Sequence, residues 1–140
     1  MILYLDTSAL VKRYFQELFT AEVLSKWNEA KAIASSSVAY AETMAVIYRK
    51  QREEDLGKTA VQDLVKTFQM EWQSMIRVEV CDALNPYIDT VLQHHALRGF
   101  DAVHLASALL LRSHVGDNIF FACFDHKLNQ GARANGLHSF

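Results

Sequence analysis

Four acidic residues stand at places where chemistry could use them. Asp6 follows directly on the apolar run Ile2, Leu3, Tyr4 and Leu5. Asp125 follows the apolar run 119–124, and Asp101 comes two residues after Gly99. Glu42 shares a helical face with Val38, Ala41, Ala45 and Tyr48, so its carboxylate interrupts an apolar stripe. An aspartate at a helix start is first of all a cap for free N–H groups, so each of the three taken alone needs no function. Glu42 is different, because an ionised carboxylate on an apolar face is costly unless something compensates it. Arg49 and Lys50 lie towards the far, solvent end of the same helix, which leaves a metal ion as the better partner.

Four carboxylates brought together repel one another and take up protons unless cations neutralise them. Ligands that are all oxygen favour Mg²⁺ or Mn²⁺ over zinc, which prefers histidine and cysteine. One or two such ions lower the pKa of water and balance charge at phosphorus during an in-line displacement. The pattern points to phosphoryl chemistry rather than metal storage.

For these acids to meet, the elements carrying them must converge. The continuous apolar run 2–5 reads as a strand buried on both faces. Further strands are expected at 32–37, 76–80 and 119–124, with 137–140 as an edge-strand candidate. Helical spacing covers 8–16, 18–30, 38–50, 55–73, 86–97, 101–113 and 125–134. Ser37 is placed to cap the helix from 38, Pro86 stands at a tolerated helix start, and Gly99 breaks one helix before the next. Alternating strands and helices predict an α/β fold, a three-layer α/β/α sandwich on a central, mainly parallel sheet. Residues 1–140 read as a single domain, with two helices inserted between the second and third strands. Ligands of such sheets sit beyond the carboxyl ends of the strands, which is where Asp6, Asp101 and Asp125 are expected.

Composition narrows the classes. A net charge of −2 argues against a broad basic surface for nucleic acid, though it leaves room for a few local contacts. At 51% hydrophobic and 21% charged, disorder is excluded. No apolar run is long enough for a membrane span, no secretory leader is read at the amino terminus, and two cysteines without metal-finger spacing suggest a reduced, cytoplasmic interior. A phospho-acceptor receiver domain is set aside, because no second acid accompanies Asp6.

At the same residues the chain resembles a known family. "LDTSALVK" (5–12), "SSVAYAET" (36–43), "FDAVHLASALLL" (100–111) and "FDHKL" (124–128) are similar, in order and spacing, to PIN-domain nucleases, and among them to the VapC-type toxins of bacterial toxin–antitoxin pairs. The resemblance runs from Asp6 to the last helix. It implies that Asp6, Glu42, Asp101 and Asp125 form a catalytic, metal-binding quartet, with Asp6 and Asp101 the foremost direct ligands. It also implies a supporting hydroxyl at Ser8, and Cys123 stands where many relatives carry Thr or Ser. The implied activity is Mg²⁺- or Mn²⁺-dependent cleavage of RNA, and the implied partner is an antitoxin whose peptide wraps the toxin. The apolar helices 18–30 and 55–73 are expected to serve that partner, the interior or a homodimer interface. A PIN-like module that binds RNA or protein without cutting is the alternative.

Several other residues draw attention. Lys12, Arg13 and Arg98 could touch RNA phosphates, although most such residues are simply solvated. His104, one turn after Asp101, is expected to be a packed, hydrogen-bonded residue of an apolar helix rather than a ligand. His94 and His95 lack partners at ligand spacing, and His126, although beside Asp125, is not expected to face the site. Ser35 to Ser37 are read as capping residues, since no nucleophile elbow accompanies them. Tyr40, Tyr48, Trp27 and Trp72 are assigned to core packing.

Overall fold

Strand β1 (Ile2–Leu5) is buried along its whole length and lies at the centre of the sheet. The computed structural model describes residues 1–116 and 118–140. The other strands are β2 (Ala32–Ser36), β3 (Ile76–Val78), β4 (Ile119–Ala122) and β5 (His138–Ser139). Their order is β3-β2-β1-β4-β5, and every pair is parallel, with Ile2 opposite Ala32 on one side and Ile119 on the other.

Successive side chains of a strand face opposite ways, and here each face has its own core. Ile2, Tyr4, Ile119 and Phe121 meet Leu84, Val91, Leu105, Leu109 and Leu128 on one side. Leu3, Leu5 and Ala122 meet Leu10, Val23, Ile47, Phe68 and Trp72 on the other. The first layer consists of α5 (Asn85–His94), α6 (Gly99–Val115) and α7 (His126–Ala134). The second consists of α1 (Thr7–Val11), α2 (Thr20–Glu29), α3 (Val38–Glu53) and α4 (Lys58–Ser74). The expected sandwich and its parallel sheet are present, and α3 and α4 form the two-helix insertion.

Four local expectations change. The first helix stops at Val11 instead of reaching 16, because Arg13 and Tyr14 tighten into bonds to Leu10 and Val11 and leave for α4. There Arg13 pairs with Glu71 at 3.1 Å and Tyr14 packs edge-on against Phe68. Gly99 opens α6 rather than interrupting a helix, since α5 already ends at His94 and Arg98 is extended. Ser37 occupies the cap position of α3 without a side-chain cap bond; its hydroxyl accepts from the Val80 N–H, while Ser36 Oγ accepts from Val38 N–H. Finally, the buried face of α3 is Ala39, Thr43 and Ile47, while Ala41, Ala45 and Tyr48 are exposed. Alanine and tyrosine fit either face of a helix, so apolarity alone picked the wrong stripe for Glu42.

Candidate active site

Asp6 leaves β1 and caps α1 in the same step. Its extended backbone (φ −72°, ψ 174°) turns the chain, and its Oδ1 accepts the N–H of Ala9 at 2.9 Å and the hydroxyl of Ser8 at 2.8 Å. No protein group donates to Oδ2 among the described residues. The residue is 5% exposed. Burial raises its carboxyl above the usual carboxylate range, against the attraction of His104 and the donors at Ala9 and Ser8, and repulsion from Asp101 adds to the rise. A carboxylate so placed is stabilised by whatever positive charge arrives. The supporting role expected of Ser8 has a physical form, one charge-assisted hydrogen bond.

Asp125 repeats the device on the neighbouring strand. It follows β4, and its Oδ1 accepts the N–H of Leu128 at 2.9 Å at the start of α7. Both aspartates are therefore caps, as a structural reading of the sequence expects, and each caps with one oxygen only. Asp101 is no cap. It lies in the first turn of α6, after Gly99 and Phe100, where its charge suits the helix dipole. Its carboxylate faces Arg98 at 3.5 Å and keeps 22% of its side chain exposed.

Glu42 is held by two donors. Thr7 donates to its Oε1 at 2.6 Å, and His104 Nε2 lies 3.0 Å from the same oxygen. Burial pushes the Glu42 carboxyl up, but the bonds from His104 and Thr7 and the attraction of His104 prevail and hold it below its usual value. Arg49 and Lys50 are not its partners: Arg49 faces Glu53, and Lys50 faces Glu17 and Glu54. The compensation sought for Glu42 is thus supplied in part by neutral and histidine donors. Sequence reasoning passed over Thr7 and Tyr4, while His104 is the packed, hydrogen-bonded residue it was expected to be, 3% exposed and bonded to Tyr4 and Glu42.

The acids gather on one edge. Glu42 and Asp101 line a single cavity of about 750 Å³ with Arg98, Phe100, Ile88 and Leu92. Cys123 lies near Asp6, Asp101 and Asp125: burial pushes its thiol far up, and the negative charges of these three acids push the same way. Yet among the described residues no three His, Cys, Asp or Glu side chains stand close enough to hold an ion between them. The donor set nevertheless fits Mg²⁺, which keeps several waters and binds through one or two carboxylates rather than a protein cage. Asp6 Oδ2, without a protein donor on a residue that is 5% exposed, is the group that calls for one.

The basic residues divide. Lys12 is 3.4 Å from Glu17 and lies over the Phe124 ring at 4.9 Å, and Arg13 is taken up by Glu71 and by stacking on Trp27 at 4.7 Å. Arg98, with 86% of its side chain exposed at the mouth of the acidic cavity, has only its Nε near Asp101, at 3.5 Å. His94 and His126 are exposed, and His95 meets Asn135 at 3.2 Å, so none of the three joins the acids.

Comparison with known proteins bears on family and fold. The PIN domain family model matches residues 3–130. The chain is 34% identical over 136 residues to Ribonuclease VapC45 of Mycobacterium tuberculosis (strain CDC 1551 / Oshkosh), covering 96% of this chain and 92% of that protein. Among solved structures it superposes on Mycobacterium tuberculosis VapC20, described as a Sarcin-Ricin loop cleaving toxin, with a TM-score of 0.64 at 16% identity, over 96% of this chain and 95% of the other. A toxin–antitoxin complex from Klebsiella pneumoniae gives a TM-score of 0.65 at 16% identity, over 89% and 88% of the two chains.

Proposed function

The chain belongs to the PIN domain family, and from that premise we propose that it is a Mg²⁺- or Mn²⁺-dependent endoribonuclease, the toxin of a toxin–antitoxin pair. The observation that carries the reading is the gathering of unspent carboxylate oxygens at the carboxyl end of the sheet. Asp6 and Asp125 each use one oxygen as a cap, while Glu42 and Asp101 open on one cavity.

In this reading Asp6 and Asp101 are the direct ligands, with Glu42 and Asp125 completing the set directly or through water. A bound divalent ion supplies charge neutralisation at the phosphodiester and a lowered pKa for the attacking water. The chain's own part is placement. Ser8 and the Ala9 N–H fix the Asp6 carboxylate so that Oδ2 faces the site. Thr7 and His104 keep Glu42 ionised and stationary. Arg98 offers the RNA backbone a cation beside the acids. Phe100, 61% exposed, and Leu92, 43% exposed, give the same cavity an apolar wall.

The partners follow from the same reading: an RNA substrate, a cognate antitoxin and a second copy of the chain in a homodimer. The name of the relative VapC45 supports the ribonuclease, and the Klebsiella pneumoniae complex supports the antitoxin. Exposed Tyr48 on α3 and Met70 on α4 leave apolar surface for protein contacts. Among the described residues no helix is long and apolar enough to cross a membrane, and the proposed location is the cytoplasm.

The deciding experiment expresses the chain with and without the gene beside it, as wild type and as Asp101→Asn, and follows growth and RNA integrity. Arrest with cut RNA only for wild type without its neighbour is the expected result. Arrest that persists in Asp101→Asn refutes the nuclease mechanism, and binding of RNA without any cutting assigns the chain to the non-cleaving alternative.

A further inference from the structure

A hydrogen-bonded chain runs from the centre of the sheet to Glu42. The Tyr4 hydroxyl is 3.1 Å from His104 Nδ1, and His104 Nε2 is 3.0 Å from Glu42 Oε1 and 3.3 Å from Thr7 Oγ1. Thr7 donates its own hydrogen to Glu42 Oε1 at 2.6 Å. Tyr4 is fully buried and His104 is 3% exposed, so this part of the chain is closed to solvent.

The proton positions follow from which groups can donate. Glu42 is an acceptor, and Thr7 has spent its only hydrogen on Glu42. His104 Nε2 faces both, so Nε2 carries a hydrogen and donates to them. A phenol has an ordinary pKa of about 10 and keeps its proton at neutral pH, so Tyr4 has a hydrogen to offer Nδ1, which favours the tautomer with its hydrogen on Nε2. Histidine ligands of metals are often oriented this way by a second partner on the other ring nitrogen. Here the oriented imidazole acts on a carboxylate.

We propose that Tyr4, His104 and Thr7 form a clamp that pre-orients Glu42, leaving Oε2 directed to the acidic edge, and that His104 is therefore a positioning residue for metal binding. The inference rests on the reading of Glu42 as a metal ligand. Its logic is one of neighbours. Tyr4 lies two residues before Asp6 and Thr7 directly after it, and His104 lies one helical turn beyond Asp101, so the residues that hold Glu42 belong to the strand and helices that carry the other two acids. A free glutamate side chain loses rotamer freedom when it is ordered; one already held by two donors loses little, and its affinity for the ion rises accordingly.

The test is direct Mn²⁺ binding by the full chain without RNA, by titration calorimetry or by the electron paramagnetic resonance signal of free Mn²⁺, beside thermal melting without metal. His104→Leu removes the donor at similar volume, His104→Gln returns an N–H near the place of Nε2, Thr7→Val removes the second donor, and Glu42→Gln is the control. The expected result is an Mn²⁺ dissociation constant raised about tenfold to hundredfold in His104→Leu, the usual effect of losing a partner behind a ligand. The rise in Thr7→Val is smaller, and His104→Gln restores most of the affinity. If Glu42→Gln weakens binding while His104→Leu and Thr7→Val match wild type, the clamp is overturned and the ligand reading stands. If Glu42→Gln also binds as wild type does, both fall. A loss in His104→Gln as severe as in His104→Leu assigns the effect to packing and likewise overturns the proposal. Should His104→Leu not fold, Thr7→Val decides, because Thr7 is only half-buried and its isosteric change removes one hydroxyl.

Discussion

The backbone N–H of Asp6 donates to the carbonyl of Ala122 at 3.1 Å. That bond extends the parallel ladder in which Leu5 faces Ala122, and it ties the first carboxylate to the end of the strand that leads on to Asp125. Two acids 119 positions apart in sequence thus leave adjacent strands at the same edge, each turning into a helix that it caps. The consequences can be measured residue by residue.

Asp6→Asn keeps an oxygen for the Ala9 N–H and the Ser8 hydroxyl but removes the buried charge. Burial raises the native carboxyl, so the native state holds its proton more tightly than the unfolded chain, whose value is about 3.9. Stability from this residue is then complete at acid pH and is lost as pH rises through the native value. The metal-free variant is expected to melt higher than wild type at pH 7, by about 3 °C if the gain is about 1 kcal/mol. The difference should vanish towards pH 3. Melting curves with chelator across that range check it, and a variant that melts lower at pH 7 contradicts it. RNA cleavage with Mg²⁺ is expected to fall by about a hundredfold or more.

Asp125 separates cap from charge. Asp125→Asn retains the acceptor for the Leu128 N–H, whereas Asp125→Ala loses it. Chemical denaturation should show the alanine variant about 1 kcal/mol less stable and the asparagine variant close to wild type. Nuclease activity should drop in both. Full activity in a folded Asp125→Asn protein would remove Asp125 from the catalytic set.

Arg98 stands exposed beside the acids, paired with Asp101 through Nε at 3.5 Å, whereas Arg13 is held by Glu71 and Trp27. Arg98→Ala is expected to weaken binding of uncut RNA uniformly across sequences and to reduce the salt slope by about one. Arg13→Ala should lower the melting temperature instead and leave that slope unchanged. Filter binding at several salt concentrations, with Ca²⁺ in place of Mg²⁺, distinguishes the two.

Phe68 is fully buried among Tyr14, Tyr40 and Trp72, with ring centroids 5.4 to 5.6 Å apart. Phe68→Ala should cost about 3–5 kcal/mol through lost burial and a cavity on the α4 face of the sheet. Urea denaturation reads it directly, and a loss below about 1 kcal/mol would mean that α4 is held by other contacts.

Much of this architecture was legible in residue order. Asp6 and Asp125 each end an apolar run, and only parallel strands could bring both to one edge. The apolar helix 101–113 announced α6, and the arrangement of layers followed from alternation. Element ends were less legible, because they depend on partners distant in sequence: α1 is cut short where Arg13 reaches Glu71, and Ser37 forgoes its cap bond for the Val80 N–H.

What the sequence determined by itself is the periodic content: which runs are strands, which are helices, and which acids must stand at the carboxyl ends of the strands, because periodicity and capping are local properties of the chain. Only the tertiary structure decided how those acids are held. The face of α3 that turns inward and the pairing of Glu42 with Thr7 and His104 depend on side chains meeting across 35 to 62 positions of sequence. No local pattern encodes such meetings, since the packing of helices on the sheet sets them.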